Sequence, residues 1–159
     1  MIRGDRMRVL IVDDDMMVAG RLAPIVVDAG HELVGLAADR DTAVALLRSA
    51  KVHLVLVGLR LANGWTGGDM GAAAAAHGVA VVFTTADAAL GADDRAAAAG
   101  VIARLSVASD VTSALDYFAA TLAGAAPPVP RGLELFAEWS ATGAPTATAA
   151  AAQASHSAR

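Results

Sequence analysis

The chain has 159 residues, 56% of them hydrophobic but only 4% aromatic, and a formal net charge of −4. That length suits one domain with a real core, and the acidic balance speaks against a general nucleic-acid binder, which carries a basic face. Cysteine is absent, which excludes disulfides, thiolate metal sites and cysteine nucleophiles, and no uncharged apolar run reaches the ~18–20 residues of a membrane span. Arg3, Asp5, Arg6 and Arg8 precede an apolar run too short for a signal peptide, so the expectation is a soluble cytoplasmic protein.

The first element is the run from Met7 to Val12, which stops abruptly at Asp13, Asp14 and Asp15. Branched apolar residues without alternation read as a strand buried on both faces, as in the middle of a parallel sheet. In open α/β sheets ligands bind beyond the carboxyl ends of the strands, where this acidic cluster falls. Adjacent carboxylates repel unless a proton or cation relieves them, and hard cations such as Mg2+ take oxygen ligands of this kind. A water-solvated strand end is the alternative at this point.

Residues 16–29 follow with apolar side chains at helical spacing, interrupted by Pro24, which predicts a kink. Gly30 closes the helix. His31 to Ala37 reads as a second strand, and Asp39 or Asp41 caps a helix running through Arg48. Val52 to Leu59 is a third buried strand, followed by a loop marked by Asn63-Gly64 and Gly67-Gly68. Asp69, read as the cap, opens a short alanine-rich helix ending at Gly78, and Val79 to Thr84 is a fourth strand with Thr84-Thr85 at its end. A helix over 93–99, a short strand over 101–105 and a helix from Asp110 to Leu122 complete the alternation. Val111, Leu115, Phe118 and Leu122 share one face of that last helix. Strands alternating with helices predict an α/β fold, a doubly wound five-stranded parallel sheet with helices on both faces.

Composition changes after residue 123. Pro127-Pro128 and Pro130 form a linker, and the Ala/Thr/Ser segment from Gly143 reads as disordered. The domain is therefore expected over 7–123, with 124–159 as a tail. Within the tail a short helix over 132–139 places Leu133, Phe136 and Trp139 on one face. Such a turn either folds back on its own domain or binds a partner. His31, His53, His77 and His156 are scattered without metal-ligand spacing and read as surface or loop residues.

Taken together, 9–15, 35–47, 54–68, 79–86 and the last helix resemble the response-regulator receiver domain, in flavodoxin-like topology. The resemblance implies a site built around a phosphorylated aspartate at the end of strand three. Two acids after the first strand hold Mg2+ in that family, and Asp13 and Asp14 match them. A Ser or Thr ends strand four and a lysine ends strand five. Metal, hydroxyl and ammonium together neutralise the phosphoryl group. Here Gly58 stands at the acceptor position, Thr85 at the hydroxyl position, and Val107, followed by Ala108, at the lysine position. Arg104 occupies the family's aromatic switch position, and Lys51, the chain's only lysine, precedes strand three at its wrong end.

Acceptor and ammonium are thus both missing. The expectation is a stand-alone pseudo-receiver of two-component signalling, not an enzyme, whose signal passes through protein binding. Mg2+ at Asp13 and Asp14 is expected to be weak, since two carboxylates remain where three normally surround the ion. The implied partners are a histidine kinase or other signalling protein, or a second copy of the chain, without nucleic acid or membrane. Receivers commonly dock through the surface of their last two helices, to which Arg104, Asp116, Tyr117 and Phe118 contribute here.

The enzyme alternative is a haloacid-dehalogenase-like phosphotransferase. Asp13 would be its nucleophile and Asp15 its acid/base, with Thr85 as second motif and Asp93-Asp94 as distal metal ligands. No basic residue lies between Thr85 and Asp93, and no hydrophobic strand precedes Asp93. A dinucleotide-binding half-domain is disfavoured because acids, not a G-x-G-x-x-G turn, follow the first strand.

Overall fold

The computed structural model describes residues 6–58, 67–84, 98–102 and 108–136. Its strands are β1 (Arg8–Val12), β2 (Glu32–Ala37), β3 (Leu54–Val57), β4 (Ala80–Thr84), β5 (Gly100–Ile102) and β6 (Leu133–Leu135). Its helices are α1 (Met16–Asp28), α2 (Arg40–Ser49), α3 (Gly67–Ala76) and α4 (Ala108–Leu122). The sheet order is β2-β1-β3-β4-β5-β6, parallel from β2 to β5, with β6 antiparallel to β5. The expected parallel α/β sheet is present, with one strand more than the sequence suggested. Among the described residues no helix is long and apolar enough to cross a membrane.

Strand alternation divides the core into two layers. Val9 and Ile11, with Leu54, Leu56, Val82 and Ile102, face α1 and α4. Leu10, Val12, Val55, Val57, Val81 and Phe83 face α2 and α3, meeting Ala43, Leu47, Met70 and Ala74. Alanine on the helices lets backbone approach the sheet closely, so a core poor in aromatics still packs densely.

Helix ends follow local chemistry. Asp15 caps α1, its Oδ1 accepting from the Met17 N–H at 3.0 Å. At the other end the His31 N–H reaches the Val26 carbonyl and the Gly30 N–H the Val27 carbonyl, with Gly30 at φ +92°. That closure needs a left-handed residue, which glycine supplies without strain. Pro24 lies on the exposed side of a helix that stays continuous, so the expected kink does not break it. Asp39, not Asp41, caps α2 through the Thr42 N–H, and Asp69 sits inside the first turn of α3 rather than capping it.

The fold corrects two expectations. Residues 133–135 form a strand, not part of a helix over 132–139, and they extend the sheet past the boundary at 123. The spacing of Leu133 and Phe136 suits a helix face, but three residues apart on an extended chain also sends them to opposite faces of a sheet. The bare edge of β5 supplies hydrogen bonds that a lone helical turn lacks. His31 and His53 lie in loops, as one half of the expectation had it, but not on the surface. His31 is buried, and its Nδ1 accepts from the Met7 N–H; the half-buried His53 does the same for the Arg8 N–H at 2.9 Å. Together they satisfy backbone donors where β1 enters the sheet, and His31 Nε2 lies 3.5 Å from Asp116 Oδ1 on α4. His77 is exposed, and His156 lies outside the described residues.

Burial first, then the charges of Lys51, the amino terminus and Arg8, hold the His53 imidazole below the ordinary histidine range. The folded state therefore gives up the His53 proton at lower pH than does the unfolded chain. The stability it contributes is complete above the ordinary histidine value and drains away as pH falls through the lowered one. Replacing His53→Phe should flatten this part of the pH–stability curve. It should also cost about 1 kcal/mol at neutral pH, because the Arg8 N–H loses its acceptor. Urea unfolding across the mildly acidic range measures both effects.

Candidate functional site

Register brings the carboxyl ends of the central strands level. Val12 pairs with Val57, and Val57 with Phe83. The next row is therefore Asp13, Gly58 and Thr84, and alternation turns all three toward the α1 and α4 face. The Asp13 N–H donates to the Ala37 carbonyl and the Gly58 N–H to the Val12 carbonyl, both at 2.9 Å, so the row is fixed by the sheet itself.

Of the three adjacent acids only Asp13 turns inward. It is 7% exposed, whereas Asp14 and Asp15 face solvent. Its Oδ1 accepts the Asp15 N–H at 2.9 Å, and Asp15 in turn caps α1. The Asp13 carboxyl also lies across Gly58. A Cβ at position 58 would stand 2.8 Å from its Oδ2 and 3.0 Å from its Cγ, so a side chain there would require the Asp13 carboxyl to swing aside. Burial raises the Asp13 carboxyl above the ordinary aspartate range; the Asp15 N–H opposes this, and the charges of Asp14 and Asp15 add to the rise.

Thr84 completes the row. It is 4% exposed, and among the described residues its Oγ1 has no hydrogen-bond partner. The resemblance placed the family's hydroxyl on Thr85, the second residue of the Thr84-Thr85 pair; Thr84 stands in this row by its register with Gly58, which is not visible before the strands are paired. Thr85, Asp93, Asp94, Arg104, Val107 and Trp139 lie outside the described residues.

The other expected site residues separate. Leu133 and Phe136 are buried at 8% and 4% exposure, in opposite core layers, so this part of the tail folds back on its own domain. Phe118 is interior as well, edge-to-face with Tyr117 at 5.4 Å, and only Asp116 of that α4 set is exposed.

Among the described residues no group of three His, Cys, Asp or Glu side chains is placed to hold a metal ion. Asp13 is engaged by the Asp15 N–H and leans over Gly58, while Asp14, at the bend after β1, is exposed.

No protein-family model and no curated protein matches the sequence. Solved structures do match the fold. The response regulator PhyR from Brucella abortus aligns with a TM-score of 0.55 at 25% identity, over 68% of this chain and 46% of that one. The response regulatory domain of mrkE from Klebsiella pneumoniae gives a TM-score of 0.61 at 20% identity, over 69% and 92% of the two chains. A chemotaxis response regulator of Vibrio cholerae gives 0.60 at 18%, over 67% and 92%. The chain therefore spans less than half of the Brucella PhyR chain. Its fold is the receiver fold of response regulators, in the flavodoxin-like arrangement. Nothing in these matches or in the described geometry supports the haloacid-dehalogenase reading.

A raised carboxyl means that the folded state holds the Asp13 proton to higher pH than does the unfolded chain. Its contribution to stability is complete below the ordinary aspartate value and lost as pH rises through the raised one. Asp13→Asn keeps an acceptor for the Asp15 N–H and removes the buried charge. It should raise the thermal midpoint at neutral pH by about 2 °C, with the gain vanishing on acidification. Calorimetric melts of both proteins across the acidic range check this.

Proposed function

We propose that the chain is a receiver-type signalling module that works through protein contact, without an aspartyl phosphate at the family's acceptor position. The observation that carries this reading is the Asp13–Gly58 contact. Gly58 offers neither a nucleophile nor a ligand, and a side chain there would require the Asp13 carboxyl to swing aside. Phosphoryl transfer to a carboxylate requires neutralisation of charge on both acceptor and phosphoryl oxygens. Here the neighbouring groups are further acids. Asp14 and Asp15 would oppose an incoming phosphodonor, and Val107 stands where the family has its ammonium.

Apolar exposure supports a contact-based signal. Met16 (47%), Met17 (74%) and Val27 (55%) on α1 and Leu36 (40%) on β2 are large apolar side chains left in water. Large apolar side chains left in water are available for contact with another protein. A histidine kinase, another signalling protein or a second copy of the chain would be such a partner. On this reading Mg2+ at Asp13 and Asp14 is weak, and a calorimetric titration in which Asp14→Asn changes little is the expected result.

The central test is direct. The protein incubated with a small phosphodonor and Mg2+ should show no mass gain of a phosphoryl group, while a phosphorylatable receiver treated in parallel is labelled. A stable adduct mapped to Asp13 or Asp14 would overturn the reading. Gly58→Asp should restore a nucleophile but force the Asp13 carboxyl aside. The variant is therefore expected to unfold at lower urea concentration than the parent, and to label slowly.

A further inference from the structure

β1 enters the sheet between β2 and β3, and the residue before each of those two strands is a histidine, His31 and His53. Consecutive residues of a strand turn their N–H and carbonyl groups to opposite neighbours. Met7 faces β2: its carbonyl accepts the Glu32 N–H at 2.9 Å, and its own N–H goes to His31 Nδ1 at 3.2 Å. Arg8 faces β3: its carbonyl accepts the His53 N–H and its own N–H goes to His53 Nδ1, both at 2.9 Å. On both sides of β1 the first rung of the ladder therefore ends on an imidazole, where a longer strand would offer a backbone carbonyl.

The two acceptors are not equivalent chemically. A carbonyl accepts at any pH, whereas Nδ1 accepts only while it carries no proton. A protonated ring is a donor at both nitrogens, so it meets the Met7 or Arg8 N–H with an N–H of its own. Different charges face the two rings. His31 is buried, and its Nε2, without a hydrogen-bond partner among the described residues, lies 3.5 Å from Asp116 Oδ1 on α4. Glu32, next in sequence, is ion-paired with Arg8 at 2.9 Å and with Arg6 at 3.9 Å. His53 is half-buried, and the charges acting on it, those of Lys51, the amino terminus and Arg8, are all positive. A His31 cation thus keeps a carboxylate on α4 as it gives up β1, while a His53 cation faces only like charge.

We propose that His31 and His53 form an acid-opened latch on the amino end of β1, in which protonation turns both acceptors into donors and frees the Met7 and Arg8 backbone from β2 and β3. Met7 is the side chain that opening uncovers, since it is fully buried in the layer of α1 and α4. From Val9 onward β1 is paired to backbone on both sides and stays in place. The latch lies at the opposite end of the strand from Asp13 and does not depend on the chemistry at Gly58.

Hydrogen exchange of the whole chain, followed amide by amide from neutral into mildly acidic solution, reads the opening, and the histidine ring resonances report protonation in the same sample. Protection at Met7 and Arg8, corrected for intrinsic exchange, should fall about tenfold per pH unit once the rings titrate, because each opening takes up a proton. Leu56 and Val82 should stay protected over the same range. His53→Asn sets an oxygen that carries no proton in the place of Nδ1. It should keep Arg8 protected into acid and leave the Met7 response as in the parent, and His31→Asn should do the reverse. Where asparagine at the buried position 31 is not tolerated, His53→Asn decides by itself. Protonated rings with Met7 and Arg8 still protected, or an unchanged Arg8 response in His53→Asn, overturn the latch. So does loss of Leu56 protection at the same pH as Met7, which marks global unfolding.

Discussion

Everything else in this protein rests on the burial of β1 and β3 from both sides. Each side chain from Val9 to Val12 and from Leu54 to Val57 is fully buried. Helices must therefore cover both faces of the sheet, and no polar group is tolerated along the middle of either strand without a partner. Chemistry is driven to the strand ends. The two histidines serve this constraint at the amino end, where they accept the Met7 and Arg8 donors at the entry to β1. At the carboxyl end the same strands deliver Asp13 and Gly58 side by side.

That row has the frame of a receiver site with its chemistry rearranged. In a receiver the acids after the first strand face an acceptor carboxylate with a metal between them. Here residue 58 is glycine, and the Asp13 carboxyl lies against it. Burial makes the Asp13 carboxyl resist ionisation, and the two acids that follow it in sequence add to this. Thr84 remains as a buried hydroxyl in the same row, without a protein partner among the described residues.

The two edges of the sheet are treated differently. At β5 the chain's own Leu133–Phe136 segment closes the edge, and Gly100 makes room for it. At β2 no described strand pairs on the outer side, and α1 beside it presents Met16, Met17 and Val27 to water. Capping one edge limits uncontrolled strand pairing, and it removes Phe118 and part of the α4 flank from the surfaces open to a partner.

The sequence by itself determined much of this. Unbroken apolar runs marked the inner strands, and their alternation with helical spacing implied the parallel sheet, both through local patterns that need no partner to be read. Tertiary structure decided the rest, because each remaining feature depends on what lies across a gap in sequence. Leu133 and Phe136 are three residues apart, which suits a helix face and equally suits the two sides of a strand; only the open edge of β5 chose between them. The histidines looked superficial until β1 arrived with two backbone donors to satisfy. Asp13 and Asp14 read as a pair until pairing with β3 turned Asp13 over a glycine and left Asp14, like Asp15, in water.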